Sequence, residues 1–285
     1  MSKPLLIDTH THINFNAFKK DGDEIIRRAL DNNIWIINVG AQYSTSRRAV
    51  EYAEKYKEGV YAIVGLHPSH VYENTNKKTE WEKGGEREFE EFKPEKYIKL
   101  LESSKAVAVG EIGLDYYDEI SDEEKDKQKQ VFLEQVDLAR QINKPICIHC
   151  RKAYDDLIDL LEMFNFGCAH CPMACSGDSK LKGVVHCFMG RLSQAKKLID
   201  MGFYISFNGL ITYARDYDKV IKEIPLDKIV LETDAPYLTP EPYRDKRNEP
   251  VNVKYVAEKI AEIKKIKFEQ VAKQTTKNAR ELFGI

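Results

Sequence analysis

With 285 residues, the chain is too long for a minimal binding module and matches the roughly 250 residues over which an eight-stranded α/β barrel closes. Its 44 basic and 46 acidic side chains leave a formal net charge of -2. That balance excludes a global basic field holding long nucleic acid without regard to sequence, so an anionic substrate has to be captured locally. Met1 to Pro4 lead into an apolar strand without the apolar core of a signal peptide, and no apolar run approaches the ~18 residues of a membrane span. The expectation is a cytoplasmic protein with no membrane partner and no obligate protein partner.

Short apolar runs alternate with longer amphipathic segments, the pattern of repeated βα units around a parallel sheet. Strands are predicted at Leu5 to Asp8, Trp35 to Val39, Val60 to Gly65, Ala106 to Glu111, Pro145 to His149, Val184 to His186, Phe203 to Phe207 and Ile229 to Thr233. Eight strands without a Gly-rich loop after the first favour a (β/α)8 TIM barrel over an open doubly wound sheet, as one domain spanning residues 1–285. Ser121 with Glu124 forms a capping box opening a helix that must stop before Pro145. The stretch from Asn252 to Phe283 reads as two helices parted near Lys265 to Lys267. Two connections are long. Tyr72 to Lys96 follows a strand and so belongs to the top face, as a lid candidate, whereas Asn165 to Lys182 follows a helix and belongs to the bottom face.

His10 and His12 lie two apart at a strand end, a spacing that sends both side chains to one face. Glu111, His149, His186 and Asp234 each fall where a later strand meets the top face. Imidazoles and carboxylates converging there with few arginines nearby are best satisfied by cations. Nitrogen and oxygen donors suit two divalent ions of zinc, magnesium, manganese or iron, and the absence of a thiolate argues against a cysteine-rich structural zinc.

The chain resembles the TatD family of metal-dependent deoxyribonucleases, within the amidohydrolase superfamily, from Leu6 to Phe283. The motifs carrying the resemblance are I-D-T-H-T-H at 7–12, V-G-L-H-P at 64–68, G-E-I-G-L-D-Y at 110–116, K-P-I-C-I-H-C-R at 144–151, V-V-H-C-F-M-G at 184–190, E-T-D-A-P-Y-L at 232–238 and R-N-E-P at 247–250. The resemblance implies that His10, His12 and Asp234 hold one metal, His149 and His186 the other, with Glu111 bridging, and that the substrate is DNA. The stretch C-A-H-C-P-M-A-C at 168–175 is longer and richer in cysteine than the family pattern. Cys168, Cys171 and Cys175 are expected to be free thiols, the alternative being a structural zinc or iron–sulfur cluster held with His170 or a ligand from elsewhere, away from the chemistry in either case.

Paired ions activate water for in-line displacement, so no Ser or Cys nucleophile is required. Glu111 and Asp234 are the expected catalytic carboxylates, Asp234 taking the water proton. His67 is expected either to donate to a phosphate oxygen or to serve as a capped loop histidine, with His70 a weaker candidate. Arg151 is expected either to hold a phosphate or to pair with Asp115 or Asp155. Arg244, with Lys246 and Arg247, would make a local basic rim or a solvated charge run, and Asn248 and Glu249 would anchor that loop. Trp81 is a candidate base-stacking surface, and Tyr116 and Tyr117 are expected either to stack a base or to pack against the fold. Cys147, Cys150 and Cys187 are expected to pack as small hydrophobes. The expected substrate is the single-stranded end of DNA. Hydrolysis of another ester or amide, or a non-catalytic metal-bearing scaffold, are the alternatives.

Overall fold

The computed structural model describes residues 4–72, 89–118, 120–166 and 181–285. Eight apolar strands lie side by side in chain order: β1 (Leu6–Thr11), β2 (Ile34–Val39), β3 (Val60–Val64), β4 (Ala106–Asp115), β5 (Ile146–Arg151), β6 (Gly183–Val185), β7 (Tyr204–Phe207) and β8 (Ile229–Leu231). Every neighbouring pair is parallel. Past the end of β8 the ring closes on β1 through a parallel bridge from Thr11 to Ala235, with His12 N donating to Ala235 O at 2.7 Å and Asp234 N to His10 O at 2.9 Å. Closure therefore takes place at the level of the two histidines.

The outer layer comprises α1 (Gly22–Asp31), α2 (Tyr43–Glu54), α3 (Pro94–Leu101), α4 (Asp122–Gln141), α5 (Tyr154–Phe166), α6 (Leu192–Asp200), α7 (Asp218–Glu223), α8 (Val253–Lys264) and α9 (Phe268–Phe283). The capping box at α4 is present, with Glu124 N donating to Ser121 Oγ and Ser121 N to Glu124 Oε2. Lys265, at φ 55, parts α8 from α9 as the sequence predicts. Most of the lid candidate, residues 73–88, lies outside the described residues, and its last residues from Pro94 open α3. Trp81 and the cysteine-rich stretch containing Cys168, His170, Cys171 and Cys175 lie outside the described residues. Among the described residues no helix is long and apolar enough to cross a membrane.

Alternation along each strand divides the core in two. Along β5, Ile146, Ile148 and Cys150 face the helices, while Cys147 joins Ile7, Ile37, Val184 and Val230 inside the barrel. Burying each Leu, Ile or Val of these layers stabilises the fold by ~1.5–3 kcal/mol relative to exposure. The inner layer fills the barrel below the mouth, so polar side chains converge only above it.

Three strands run further than their apolar patterns predict, β5 among them by two residues to Arg151. β1 continues through Thr11, and β4 continues to Asp115, where Gly113 pairs with His149, Leu114 with Cys150 and Asp115 with Arg151. In both, the register shifts before the polar extension, between Asp8 and Thr11 and between Val109 and Ile112. Such irregularities re-aim side chains beside functional sites. β6 and β8 end one and two residues sooner than predicted, and His186 and Asp234 project from the turns beyond them.

Candidate metal centre

The six expected ligands converge at the barrel mouth. His10 Nε2 and His12 Nε2 stand 3.1 Å apart. Asp234 Oδ1 is 3.7 Å from the first and 3.4 Å from the second. Glu111 divides its carboxylate. Oε2 lies 3.4 Å from His10 Nε2 and 3.9 Å from His12 Nε2. Oε1 lies 2.9 Å from His149 Nδ1 and 2.7 Å from His186 Nε2. Those two imidazole nitrogens are 3.2 Å apart. The backbone aims Asp234 by turning at φ 57, a left-handed conformation that Asp tolerates better than most residues.

The outward nitrogens show which way the imidazoles present their lone pairs. His12 Nδ1 faces Val39 O at 2.9 Å, and only an N–H bonds a carbonyl, so Nε2 is left as a donor atom for a cation. His149 Nε2 faces Asp115 Oδ2 at 3.1 Å, which turns Nδ1 toward Glu111. Burial opposes charge on His149, but Asp115 and Glu111 hold its pKa up at about 9. Burial likewise works against the Glu111 carboxylate, yet His186, His67 and His10 keep its pKa well below the usual range. Lone pairs and carboxylate oxygens this close need positive charge between them, and nitrogen and oxygen donors so arranged fit divalent ions. Among the described residues, three groups bring their donor atoms within 4.8 Å of one another: His10, His12 and Asp234; His10, His186 and Glu232; and His67, Glu111 and His149.

His67 differs from the others in chemistry. Its Nδ1 accepts from Ser69 N at 3.1 Å, so in the neutral ring Nε2 carries the proton, 3.5 Å from Glu111 Oε1. Burial pushes its pKa well down, keeping the ring neutral. His67 thus presents an N–H rather than a lone pair. His70 is buried beneath it, its backbone N donating to His67 O and its O accepting from Glu90 N.

Behind the cluster stand residues that the strand pattern left unassigned. Glu232 is fully buried, accepts from Cys187 N at 2.7 Å and Asn208 Nδ2 at 3.0 Å, and stands 3.7 Å from His186 Nδ1. Asp8 accepts from Thr233 N at 2.8 Å and Thr233 Oγ1 at 2.6 Å, tying β1 to the segment after β8. Asp115 follows Glu111 by four within β4, a spacing that puts both on one strand face, whereas Glu232 and Asp234 lie beyond the end of β8, where strand alternation gives no such signal.

Other expectations change. Asp115 serves His149 rather than Arg151, and Asp155 pairs with Arg191. Tyr116 is not a free stacking surface, because its hydroxyl donates to Asp156 at 3.0 Å and its ring packs against the core, whereas Tyr117 is exposed. Arg247 is no rim cation either. It donates to Ala17 O and to Asp21 and lies over Phe18, clamping its loop to the start of α1. Arg244 lies 3.9 Å from the Tyr213 ring centre and 4.0 Å from Glu241. Asn248 anchors the loop as expected, donating to Thr233 O and Tyr237 O. Cys147 and Cys150 are buried and Cys187 is half-buried. Burial pushes the Cys187 thiol up to about 12 and the other two further, so all three stay protonated.

A closed parallel barrel bearing imidazole and carboxylate clusters where its strands end is the arrangement of a metal-dependent hydrolase. Residues 7–284 match the family model described as TatD related DNase. The chain is 39% identical over 284 residues to the uncharacterized metal-dependent hydrolase YabD of Bacillus subtilis, covering 99% of this chain and 100% of that one. It is 34% identical to the uncharacterized metal-dependent hydrolase BU355 of Buchnera aphidicola, over 98% and 99% of the two chains. Among solved structures, the TatD homologue YJJV of Escherichia coli superposes with a TM-score of 0.81 at 28% identity, covering 100% of both chains. The protein belongs to the TatD family of metal-dependent hydrolases.

Proposed function

We propose that the protein is a deoxyribonuclease that hydrolyses phosphodiester bonds at single-stranded DNA ends with two divalent ions. The observation carrying this reading is the divided carboxylate of Glu111, one oxygen on the His10 and His12 side and the other on the His149 and His186 side. In this reading His10, His12 and Asp234 would hold one ion and His149 and His186 the other, with Glu111 shared between the two sides. Such a pair of ions activates water and neutralises charge on a phosphoryl oxygen during in-line displacement. Asp234, 13% exposed at its side chain and adjoining the mouth, takes the proton of the attacking water. The His67 Nε2 proton is offered to a non-bridging phosphate oxygen, to which a neutral donor adds no second positive charge to desolvate. Arg151 and Arg244 hold the substrate at the rim.

The family name supports DNA as the substrate, and the net charge of -2 favours a few local phosphate contacts over tracking along a duplex. The test is cleavage of end-labelled linear against covalently closed circular single-stranded DNA with each candidate metal supplied. Linear DNA is expected to be shortened from its ends and the circle to survive. Efficient cutting of the circle would overturn end-directed action and leave the hydrolase intact.

A further inference from the structure

We infer that Arg151 and Lys152, held on the ring of Tyr117, form a two-cation subsite for the phosphate next to the scissile one. The inference rests on the phosphodiesterase reading above and narrows it, since only a substrate carrying a second phosphate would use the site.

The Arg151 guanidinium lies 3.4 Å from the centre of the Tyr117 ring and the Lys152 ammonium 4.7 Å from it. Among the described residues, neither cation pairs with a carboxylate. This separates them from Arg247, Arg191, Arg28 and Arg215, each of which is committed to Asp or Glu. A ring holds a cation in place without neutralising it, so both remain available to an anion.

The arrangement is built rather than incidental. Tyr117 N donates to Asp115 Oδ1 at 2.9 Å, fixing the turn that presents the ring, while the other oxygen of the same carboxylate takes His149 Nε2 at 3.1 Å. Tyr116 N donates to Arg151 O at 2.9 Å, pinning the backbone beneath the guanidinium. Gln128 brackets Asp115 from α4, accepting from its N–H at 2.8 Å and donating to its carbonyl at 3.0 Å. Lys152 turns at φ 56, a conformation unfavourable for a side-chain-bearing residue and retained only where surroundings impose it. The turn folds its ammonium back over Tyr117 instead of letting it follow the strand outward.

Position relative to the metal centre follows from β5. Arg151 is two residues beyond His149 on the same strand face, a rise of ~6.6 Å, which the sugar between two neighbouring phosphates can bridge. A phosphate beside the ions would therefore leave its neighbour near the pair of cations. Arg151 contributes a planar fork for two oxygens and Lys152 a mobile point charge.

The test compares a short thymidine oligonucleotide with bis(p-nitrophenyl) phosphate, which has the scissile group but no second phosphate. Arg151→Gln and Lys152→Gly are made separately, the glycine relieving the left-handed turn while removing the cation. Tyr117→Leu removes the ring, and Tyr117→Phe keeps it. For the first three variants the ratio of kcat/KM on oligonucleotide to that on bis(p-nitrophenyl) phosphate should fall about tenfold, and Tyr117→Phe should retain it. Fluorescence anisotropy of the labelled oligonucleotide on chelator-treated protein should show a matching rise in Kd. A parallel fall on both substrates, or no change in ratio and Kd, would overturn the subsite. If the wild type cleaves neither substrate under any metal, the phosphodiesterase reading fails, and the anisotropy still decides whether the cations bind phosphate.

Discussion

Glu111 contributes one oxygen to each half of the centre, so removing it disconnects two sites rather than weakening one. On the two-ion reading proposed above, Glu111→Ala should lower the metal content per chain and depress turnover by at least ~100-fold while the protein stays folded. Elemental analysis of the purified variant beside its circular dichroism checks this. Two retained ions with near-wild-type turnover would remove the bridging role. Asp115 acts one step further out, on His149. Asp115→Asn retains shape but weakens the acceptor that orients the imidazole, and the affinity of the His149 side for metal should fall ~10–100-fold. Calorimetric titration of zinc into chelator-treated protein should show one class of site weakened and the other unchanged. Equal weakening of both would assign Asp115 a general structural role.

At the scale of elements, β4 joins fold to site. Its G-E-I-G-L-D half lacks the β-branched run that marks a strand, so the sequence pattern ends it at Glu111, although its backbone pairs with β5 through Asp115. Gly113 shows why the composition is so unusual. It adopts φ 148, and a Cβ there would come within 1.9 Å of His149 O. Gly113→Ala should therefore destabilise by about 3 kcal/mol or more, or shift β4 off β5 and disturb His149. Gly202 is the control. It has φ 101, but an added Cβ meets only Leu181 O at 3.9 Å, so Gly202→Ala should cost about 1 kcal/mol from backbone strain alone. Urea denaturation of both distinguishes a steric clash from conformational preference, and similar losses would refute the clash. The six candidate ligands were legible because imidazoles and carboxylates recur at the ends of successive apolar runs. Asp115 and Glu232 were not, because a lone carboxylate in sequence does not reveal which imidazole it backs. The Arg247 clamp was equally hidden, since its partners Ala17 and Asp21 lie 230 and 226 residues away along the chain.

At the scale of the whole molecule, the balance of charge decides how substrate is held. The barrel order was readable from alternation of strand and helix, but the rim was not, because a basic run looks the same whether its cations are free or paired. Of the basic side chains that follow β5 and β8, Arg247 is committed to Asp21 and Arg244 lies within reach of Glu241, leaving Arg151 and Lys152 without carboxylate partners among the described residues and Lys246 over the Tyr243 ring. Each phosphate neutralised on a single strand contributes ~0.7 to the slope of log K against log salt. Two or three engaged cations on the metal-free protein thus set a slope of about 1.4 to 2.1. Anisotropy titrations of a thymidine oligonucleotide across a salt series measure it directly. Lys152→Gly should lower the slope by about 0.7, whereas Arg247→Gln, whose charge is already met by Asp21, should leave it nearly unchanged. A wild-type slope several times larger would require an extended basic track that the charge balance of this chain does not provide, and would sink the model of a few phosphates held at one end.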